Sequence, residues 1–460
     1  MLKSLLATSV LLLSPLAIAD QQLVIKTTKG LISTDSPIAF AFNDELKQLA
    51  KVDLANNQNH MLSLPKNLIG FDAATLANTL EPQALILTTD GVYLSAQTKS
   101  TLLFEFKSVL NQLELDKFTK VNFVIDANDD GLSDILLPDI ETNTLYIQDQ
   151  QGQFHPHVFT KQAQFQGDFR SKRFKLDIDI SITPQVIDVN QDGHTDLVFT
   201  NDKQAHVLLT KGTTFADKVT DISFPVKFGK IENDNYHYID LLSDINNDGF
   251  VDLITKIMPD ADGMDAMSAT VHRNLYMGLA SGGFSSQAAT LPQTSMIGNL
   301  KFDEDFNNDG LMELQRFNID FGFGTLASMA MGGGDTDVDV EFSVHKQLAD
   351  GTFSEEPNAD FEVETPLSMS NNSSLKPLFL ADINGDGKLD AIYKSGSKTL
   401  SVYYSDADDL LSSKRKKIKH KLPDNNGDIL LVDINNDNKK DFVFKFTEED
   451  GNSTIKTVIN

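Results

Sequence analysis

The chain has 460 residues, with 39 basic and 66 acidic side chains and a formal net charge of −27. Because 40% of its residues are hydrophobic, it can bury a core of its own, which excludes a chain that is disordered throughout. The acidity argues against a nucleic-acid-binding protein, since phosphate contacts need clustered Lys and Arg. The absence of cysteine excludes disulfides, zinc knuckles, iron–sulfur clusters and thiol catalysis.

Residues 1–19 have the pattern of a secretory signal peptide. Lys3 gives a positive start, residues 5–16 are mostly apolar, and residues 17–19 (Ala-Ile-Ala) offer a small-residue cleavage site. A membrane anchor is the alternative, but this apolar run is shorter than the roughly 20 residues that a spanning helix needs. We therefore expect a secreted or periplasmic protein that has no membrane span.

The segment 20–119 contains short runs typical of β-strands. Residues 21–27 predict one strand, and residues 83–89, 92–97 and 102–106 predict strands B, C and D of a four-stranded unit. Residues 30–65 fit no element well.

An acidic loop of nine residues occurs six times after residue 119, about 61 residues apart on average. Its pattern is Asp-x-Asn-x-Asp-Gly-x-x-Asp, and short apolar runs that read as strands lie on both sides of it. The predicted metal ligands are the side chains at positions 1, 3, 5 and 9 and the backbone carbonyl at position 7. In chain order they are Asp126, Asn128, Asp130, Leu132 and Asp134; Asp188, Asn190, Asp192, His194 and Asp196; Asp244, Asn246, Asp248, Phe250 and Asp252; Asp305, Asn307, Asp309, Leu311 and Glu313; Asp382, Asn384, Asp386, Lys388 and Asp390; and Asp433, Asn435, Asp437, Lys439 and Asp441.

This spacing predicts calcium sites. Calcium takes six to eight oxygen ligands, which the loop can supply with water, whereas magnesium demands tighter octahedral geometry. An EF-hand begins in the same way, but it needs a glutamate at position 12 and a helix on each side. The remaining alternative is a solvated Asp-Asn-Gly turn without an ion, and six copies in the same register argue against it.

The repeat predicts an all-β propeller. After each loop come two strands and then, in four units, a corner where a glycine is followed within three residues by Phe154, Phe215, Phe284 or Phe353. Each unit is then four antiparallel strands, and several units arranged radially bury both faces of every sheet. A linear array of separate small domains is the weaker alternative, because one small sheet cannot bury both of its faces alone.

These motifs resemble the FG-GAP/VCBS repeat of integrin α-subunit propellers and of many exported bacterial proteins. The resemblance covers roughly residues 120–460 and implies a seven-bladed propeller with calcium in the A–B loops. Six blades would come from residues 120–460, and residues 20–119 would add the closing strand and one degenerate blade; six or eight blades are alternatives. Glu313 at position 9 and Asn438 at position 6 depart from the pattern, so the sites beginning at Asp305 and Asp433 match the family less closely.

Two insertions are predicted between strands B and C of neighbouring blades, over residues 258–272 and 321–337. Both would lie on the face opposite calcium, where we expect a protein or glycan ligand. Eight of the eleven methionines lie between residues 258 and 331. The pairs Met264/Met267 and Met329/Met331 suit Cu(I), although adaptable packing between the two insertions is the better interpretation.

The basic segment 414–421 has two interpretations. It suits anionic glycans or lipid head groups, but it also falls where strand D of its blade belongs, and lysines that protect an outer edge strand from aggregation are the better interpretation. The histidines form no metal triad: His155 and His157 fall on a predicted strand D, and His237 fits a core position.

The leading functional prediction is a non-catalytic calcium-binding module for protein or glycan binding or adhesion. A polysaccharide-active, lyase-like enzyme and a scaffold subunit of an envelope complex are the alternatives. No Gly-x-Ser-x-Gly elbow, Walker loop or His-Glu-x-x-His motif occurs.

Overall fold

The computed structural model describes residues 21–25, 28–34, 36–113, 115–160, 183–212, 214–261, 269–319, 336–367, 378–406, 410–448 and 452–460, and the short strands Gly167–Asp168 and Arg173–Phe174. These residues form an all-β propeller of eight blades, each built on a four-stranded antiparallel sheet. The predicted signal peptide, residues 1–19, lies outside the described residues.

Strands A to D run outward from the centre of the ring, and the blades are numbered here in chain order. Blades 1 to 4 consist of Gly30–Ser33, Ile38–Asn43, Gln48–Asp53 and Gln58–Met61; Leu68–Ala74, Gln83–Thr88, Gly91–Ser95 and Thr101–Glu105; Val124–Ile125, Asp134–Pro138, Thr142–Gln148 and Phe154–Thr160; and Gln185–Ile187, Asp196–Thr200, Ala205–Leu208 and Thr220–Asp221. Blades 5 to 8 consist of Asn235–Ser243, Asp252–Pro259, Thr270–Tyr276 and Ala289–Ser295; Asn299–Glu304, Glu313–Ile319, Thr336–His345 and Ala359–Leu367; Phe379–Ala381, Asp390–Lys394, Thr399–Asp406 and Leu410–Lys419; and Ile429–Val432, Asp441–Thr447, Ser453–Val458 and Gln21–Ile25.

A few short elements supplement the blades. Thr119–Lys120 adds a parallel strand inside blade 2, and Gly229–Lys230 adds a fifth strand to blade 5. Two-stranded ribbons pair Gly167–Asp168 with Arg173–Phe174 and Thr210–Lys211 with Thr214–Phe215. The 3-10 helices among the described residues are Val109–Gln112, Glu232–Asp234 and Asn426–Asp428.

The predicted number of seven blades is wrong, because residues 30–61 form a complete blade. Its tight hairpins rely on side chains that leave no periodic signal: Asn43 Oδ1 accepts hydrogen bonds from the backbone N–H groups of Glu45 and Leu46, and Asp53 Oδ1 accepts one from Asn56. Lys47 and Asn57 supply left-handed turn positions, with φ of 51° and 54°. Residues 20–119 therefore contribute two blades and the closing strand.

The ring closes as predicted through its N-terminal strand. Gln21–Ile25 pairs antiparallel with Ser453–Val458 and becomes strand D of blade 8. Buried apolar clusters fill the eight junctions between neighbouring blades in the described part of the chain. The junction of blades 8 and 1 joins Ile25, Val443 and Ile455 to Ala39 and Val52. A ring closed by burial on both faces of each sheet explains why no blade needs to be stable alone.

Candidate cation sites

The six acidic loops connect strands A and B of blades 3 to 8, so they all lie on one face of the ring. Their backbone follows one path. Position 6 is left-handed in every copy, with φ of 79–87° at the five glycines and 65° at Asn438. Asn438 therefore adopts the conformation that glycine supplies elsewhere, as expected of the residue type that tolerates it best.

Position 4 is left-handed as well, a feature that sequence reasoning missed. Its residues have φ between 54° and 81° and are Asp129, Gln191, Asn247, Asn308, Gly385 and Asn436. Four of these six are Asn or Gly, the residue types most tolerant of that conformation, so the signal was present in the sequence. The two left-handed residues, at positions 4 and 6, together bend the chain around the carboxylate at position 1.

That carboxylate holds the turn through backbone N–H groups. In the first loop Asp126 Oδ2 accepts from Gly131 at 2.9 Å, and its Oδ1 accepts from Asp130 at 3.2 Å. Asn128 Oδ1 accepts from the same Asp130 nitrogen at 3.3 Å, so the oxygens of positions 1 and 3 converge on one point. The hydrogen bond from position 6 to position 1 recurs in all six loops at 2.8–2.9 Å.

The acidic residue at position 9 is fully buried in every loop. In the five loops with aspartate, one oxygen accepts from the backbone N–H of position 2, and the other accepts from an N–H at or just beyond the end of strand C. For Asp252 these bonds come from Ile245 at 2.9 Å and Gly278 at 2.7 Å. The same pair of bonds occurs at Asp134, Asp196, Asp390 and Asp441. This carboxylate therefore ties each loop to the body of its blade.

Burial and like charge make these carboxylates costly to ionise. Burial raises the pKa of Asp134 to about 7, against its backbone hydrogen bonds, and the negative charges of Asp130 and Asp126 raise it further. Burial likewise raises the pKa of Asp252 to about 6 and that of Glu313 to about 7. A cation at the loop would oppose each of these shifts, because an opposite charge nearby favours the ionised form.

The fourth loop departs from the others where its sequence does. Glu313 keeps the bond from position 2, Phe306 N–H at 2.8 Å, but its second oxygen lies near the Asn307 amide at 3.4 Å. Lys346 also places its ammonium 3.6 Å from Asp309 Oδ2 at position 5. This loop thus carries a side-chain cation beside a predicted ligand, so it fits the predicted cation-site pattern less well than the loops of blades 3, 4 and 5 do.

The loops also contact one another around the face. Gln191 Nε2 donates to the carbonyl of Gly249 in the next loop at 2.6 Å, and Lys440 N–H donates to the carbonyl of Asp382 at 2.8 Å. Thr195 Oγ1 donates to the carbonyl of Ala127 at 3.3 Å. Anything that orders one loop therefore acts on its neighbours and on the junctions between blades.

The donor set fits a hard divalent cation. Each loop combines carboxylates, one asparagine oxygen and one backbone carbonyl, which are the oxygen donors that calcium prefers. Among the described residues, no group of three or more His, Cys, Asp or Glu side chains is arranged to hold a metal ion. A site in these loops would therefore depend on the asparagine and carbonyl oxygens as well as on the carboxylates.

The other predicted sites fall as follows. Residues 260–269 and 320–335 connect strands B and C in blades 5 and 6, so both insertions have the predicted place in the topology. Most of their residues, including Met264, Met267, Met329 and Met331, lie outside the described part of the chain. His237 is buried as expected, and burial lowers its pKa, but its Nε2 has no partner among the described residues.

Two cavities escaped sequence reasoning. One, of about 690 Å³, lies opposite the acidic loops and is lined by Lys47, Lys66, Asn67 and Asn111, among others. The second, of about 1000 Å³, lies between blades 5 and 6.

A serine–histidine pair lies in the second cavity, where Ser343 Oγ is 3.3 Å from His345 Nε2. His345 Nδ1 contacts the Ser354 carbonyl at 2.9 Å, so this ring is fixed between strand C and the C–D corner. Ser343 and His345 are 5% and 3% exposed, which suits a structural pair better than a nucleophile.

A match to a known protein family agrees with the fold. Residues 188–255, which include the second and third acidic loops, match the family described as the FG-GAP-like repeat. The protein is an FG-GAP-type β-propeller. No curated protein matches the sequence. No helix among the described residues is long and apolar enough to cross a membrane.

Similar solved structures include the WD40 domain of SCAP from fission yeast, at 9% identity over 96% of this chain and 95% of that one, with a TM-score of 0.42. The biofilm matrix protein Bap1 of V. cholerae matches at 11% identity over 93% of this chain and 77% of that one, with a TM-score of 0.29. Likenesses this distant assign no ligand and no activity to this FG-GAP-type propeller.

Proposed function

We propose that this FG-GAP-type propeller is an exported, calcium-stabilised binding module without catalytic activity. The observation that carries the proposal is the repetition of one loop, with the same left-handed positions and the same hydrogen bond from position 6 to position 1, in six consecutive blades. A propeller with FG-GAP repeats suits a binding or scaffold role, since it holds many loops on a rigid ring.

Calcium would act here mainly on stability. Extracellular calcium modules have dissociation constants of about 10⁻⁴–10⁻³ M. At a hundred times its dissociation constant, each site would add about 2.7 kcal/mol to the free energy of unfolding. Six ions would also neutralise part of the net charge of −27. Residues 1–19 resemble a signal peptide, which fits export. An exported protein without cysteine cannot be stabilised by disulfides, so bound calcium would stabilise it instead.

The ligand surface would be the face opposite the acidic loops. There the B–C connections of blades 5 and 6 are enlarged, over residues 260–269 and 320–335, and they belong to neighbouring blades. Long loops on a rigid scaffold are where binding residues concentrate. A protein or glycan at the cell surface is the proposed ligand, and calcium on the other face would keep this surface rigid without contacting it.

Thermal unfolding of paired variants tests the calcium proposal. Asp126→Asn with Asp130→Asn replaces two predicted carboxylate ligands of the first loop by neutral amides. Asp129→Asn makes the same chemical change at position 4, which is exposed, left-handed and not a predicted ligand. We expect calcium to raise the melting temperature of the wild type and of Asp129→Asn, and to raise that of the double variant less. Equal calcium responses in all three proteins would contradict binding at this loop.

A further inference from the structure

Strand D of blade 7 presents an unusual row of positive charge. Within residues 414–421 this acidic chain places six basic side chains, namely Lys414, Arg415, Lys416, Lys417, Lys419 and Lys421. All six are exposed, and the strand Leu410–Lys419 is the outermost of its sheet. At about 3.4 Å per residue, the row extends over roughly 24 Å.

None of these six cations forms an ion pair with a carboxylate of the described residues. Some lysines elsewhere in the propeller lie close to a carboxylate, as Lys445 does to Asp428 at 2.9 Å and Lys51 to Glu81 at 2.8 Å. In a chain with 66 acidic residues, a row of unpaired cations this dense is not explained by the internal charge balance of the fold. Its positive potential is directed to solvent.

Aromatic groups support three of the cations. Lys416 Nζ lies 4.5 Å from the ring centroid of Tyr404, and Lys421 Nζ lies 5.0 Å from that of Phe446. Arg415 donates to the Tyr393 hydroxyl at 2.7 Å. These contacts hold long side chains in place without neutralising them, which lowers the entropy lost when an anion binds.

The surroundings limit the shape of the partner. Strand D of blade 6, Ala359–Leu367, lies beside the row and exposes Asp360, Glu362 and Glu364. A membrane or a nucleic-acid duplex would bring its own negative charge against these carboxylates as well as against the lysines. A single flexible chain can follow the row and avoid them.

Protection of a sheet edge is the competing explanation for the lysines. One or two lysines or a bulge are sufficient to block pairing at an edge, and a register shift between Tyr403 and Ser405 already interrupts this one. Six cations exceed that need. Edge protection also gives no reason for the aromatic supports.

We propose that residues 414–421 bind a linear acidic polysaccharide that runs along this outer edge, its carboxylate or sulfate groups contacting basic side chains that project alternately to the two faces of the strand. This surface is on the outer rim of blade 7, so it is distinct from the ligand face opposite the acidic loops. Binding through it does not depend on calcium.

The test measures binding of hyaluronan and heparin to the full chain, with dextran as the neutral probe and anionic vesicles and duplex DNA as competing anions. The variant Lys414→Gln/Lys416→Gln/Lys417→Gln/Lys419→Gln is compared with Lys99→Gln/Lys203→Gln/Lys211→Gln/Lys218→Gln, which removes four exposed lysines from other blades. We expect the row variant to bind the acidic polysaccharides about tenfold or more weakly, and the control variant to bind nearly as the wild type does.

Binding by the wild type should also weaken as salt rises, and Lys→Arg at the same four positions should retain it. These two measurements decide the question if the glutamine variant aggregates. Equal affinity of the row and control variants, equal binding of dextran, or binding of vesicles or DNA alone would overturn the proposal. A dimer in the wild type that hyaluronan does not dissociate, with no polysaccharide bound, would also overturn it, because the row would then pair with the carboxylates of a second copy.

Discussion

Blades 1 and 2 differ from blades 3 to 8 in how the chain passes from strand A to strand B. In blade 1, Thr34 Oγ1 donates to the Ile38 carbonyl at 2.7 Å and accepts from Ser36 N–H, so a neutral hydroxyl holds the turn. In blade 2, Thr79 Oγ1 donates to the Leu76 carbonyl at 2.7 Å. Blades 3 to 8 use acidic loops with a fully buried carboxylate at position 9. Both solutions build the same four-stranded blade.

The difference shows that the loops are not required by the fold as such. A hydroxyl turn satisfies its backbone groups without any ion, whereas an acidic loop places several carboxylates within nine residues and raises the pKa of those that are buried. Stability of blades 3 to 8 should therefore respond to calcium, and local stability of the junction between blades 1 and 2 should not.

The largest effect is expected at the junction between blades 1 and 2. Phe71 is 1% exposed, and its ring centroid lies 5.4 Å from those of Phe42 and Phe118. Phe71→Ala should lower the free energy of unfolding by about 3–5 kcal/mol because it leaves a cavity. Denaturant unfolding should give the same loss in calcium and in chelator, and Phe71→Leu should lose less. A loss that differs between calcium and chelator would contradict the expectation that calcium does not affect the junction between blades 1 and 2.

A smaller effect is expected at position 9 of the third loop. In Asp252→Asn one of the two buried backbone N–H groups, that of Ile245 or that of Gly278, would face the amide NH₂ and lose its acceptor. The substitution should therefore lower the free energy of unfolding by about 1–3 kcal/mol. The loss should be greater in calcium than in chelator, because the variant also replaces a predicted carboxylate ligand by a neutral amide. Thr34→Val in blade 1 is the matched control, and it should lower the free energy of unfolding by the same amount in calcium and in chelator. If the two variants respond alike to calcium, the loops have no special role.

Backbone strain predicts the next effect. Gly193 at position 6 has φ of 83°, and a Cβ added there would meet no atom within 4 Å. Gly193→Ala should therefore cost about 1–2 kcal/mol through the left-handed backbone alone. Gly193→Asn should cost less, because Asn438 adopts this conformation in the sixth loop. Equal losses for the two substitutions in thermal unfolding would show that the sixth loop differs in kind from the second.

The smallest effect concerns acid sensitivity at saturating calcium. Burial lowers the pKa of His237 and His345, which lie in blades 5 and 6. The unfolded chain therefore binds these protons first, so their contribution to stability is complete above the ordinary histidine pKa of about 6.5 and is lost as the pH falls below it. His345→Gln should reduce this slope in unfolding measured between pH 7 and pH 5. An unchanged slope would assign the acid sensitivity to other groups.

Much of the repeat architecture could be predicted because its signals are local. Asp-Asn-Asp spacing, flanking apolar runs and corner residues such as Phe154 placed the loops between strands and closed the ring with residues 21–25. Blade 1 escaped because its turns depend on Asn43 and Asp53, whose side chains bond to backbone groups two or three residues on. Such turns have no fixed period, so nothing repeated in the sequence revealed them.

The sites show the same limit. The left-handed residue at position 4 was visible only as an excess of Asn and Gly, and contacts between loops, such as Gln191 with the Gly249 carbonyl, join residues 58 apart in the chain. The six basic side chains within residues 414–421 pair with no carboxylate of the described residues, and this depends on where the carboxylates of other blades lie. The sequence pattern of a segment predicts the turn and strand that it forms, but not which charged side chains of other blades lie beside it.

The most direct measurement is the calcium content of the chain at equilibrium with millimolar calcium, by equilibrium dialysis. The loops with an unaltered pattern begin at Asp126, Asp188, Asp244 and Asp382. We predict saturable uptake of four to six ions per chain, with one ion lost in the double variant Asp126→Asn/Asp130→Asn and none lost in Asp129→Asn. A chain that takes up no calcium under these conditions would contradict the account.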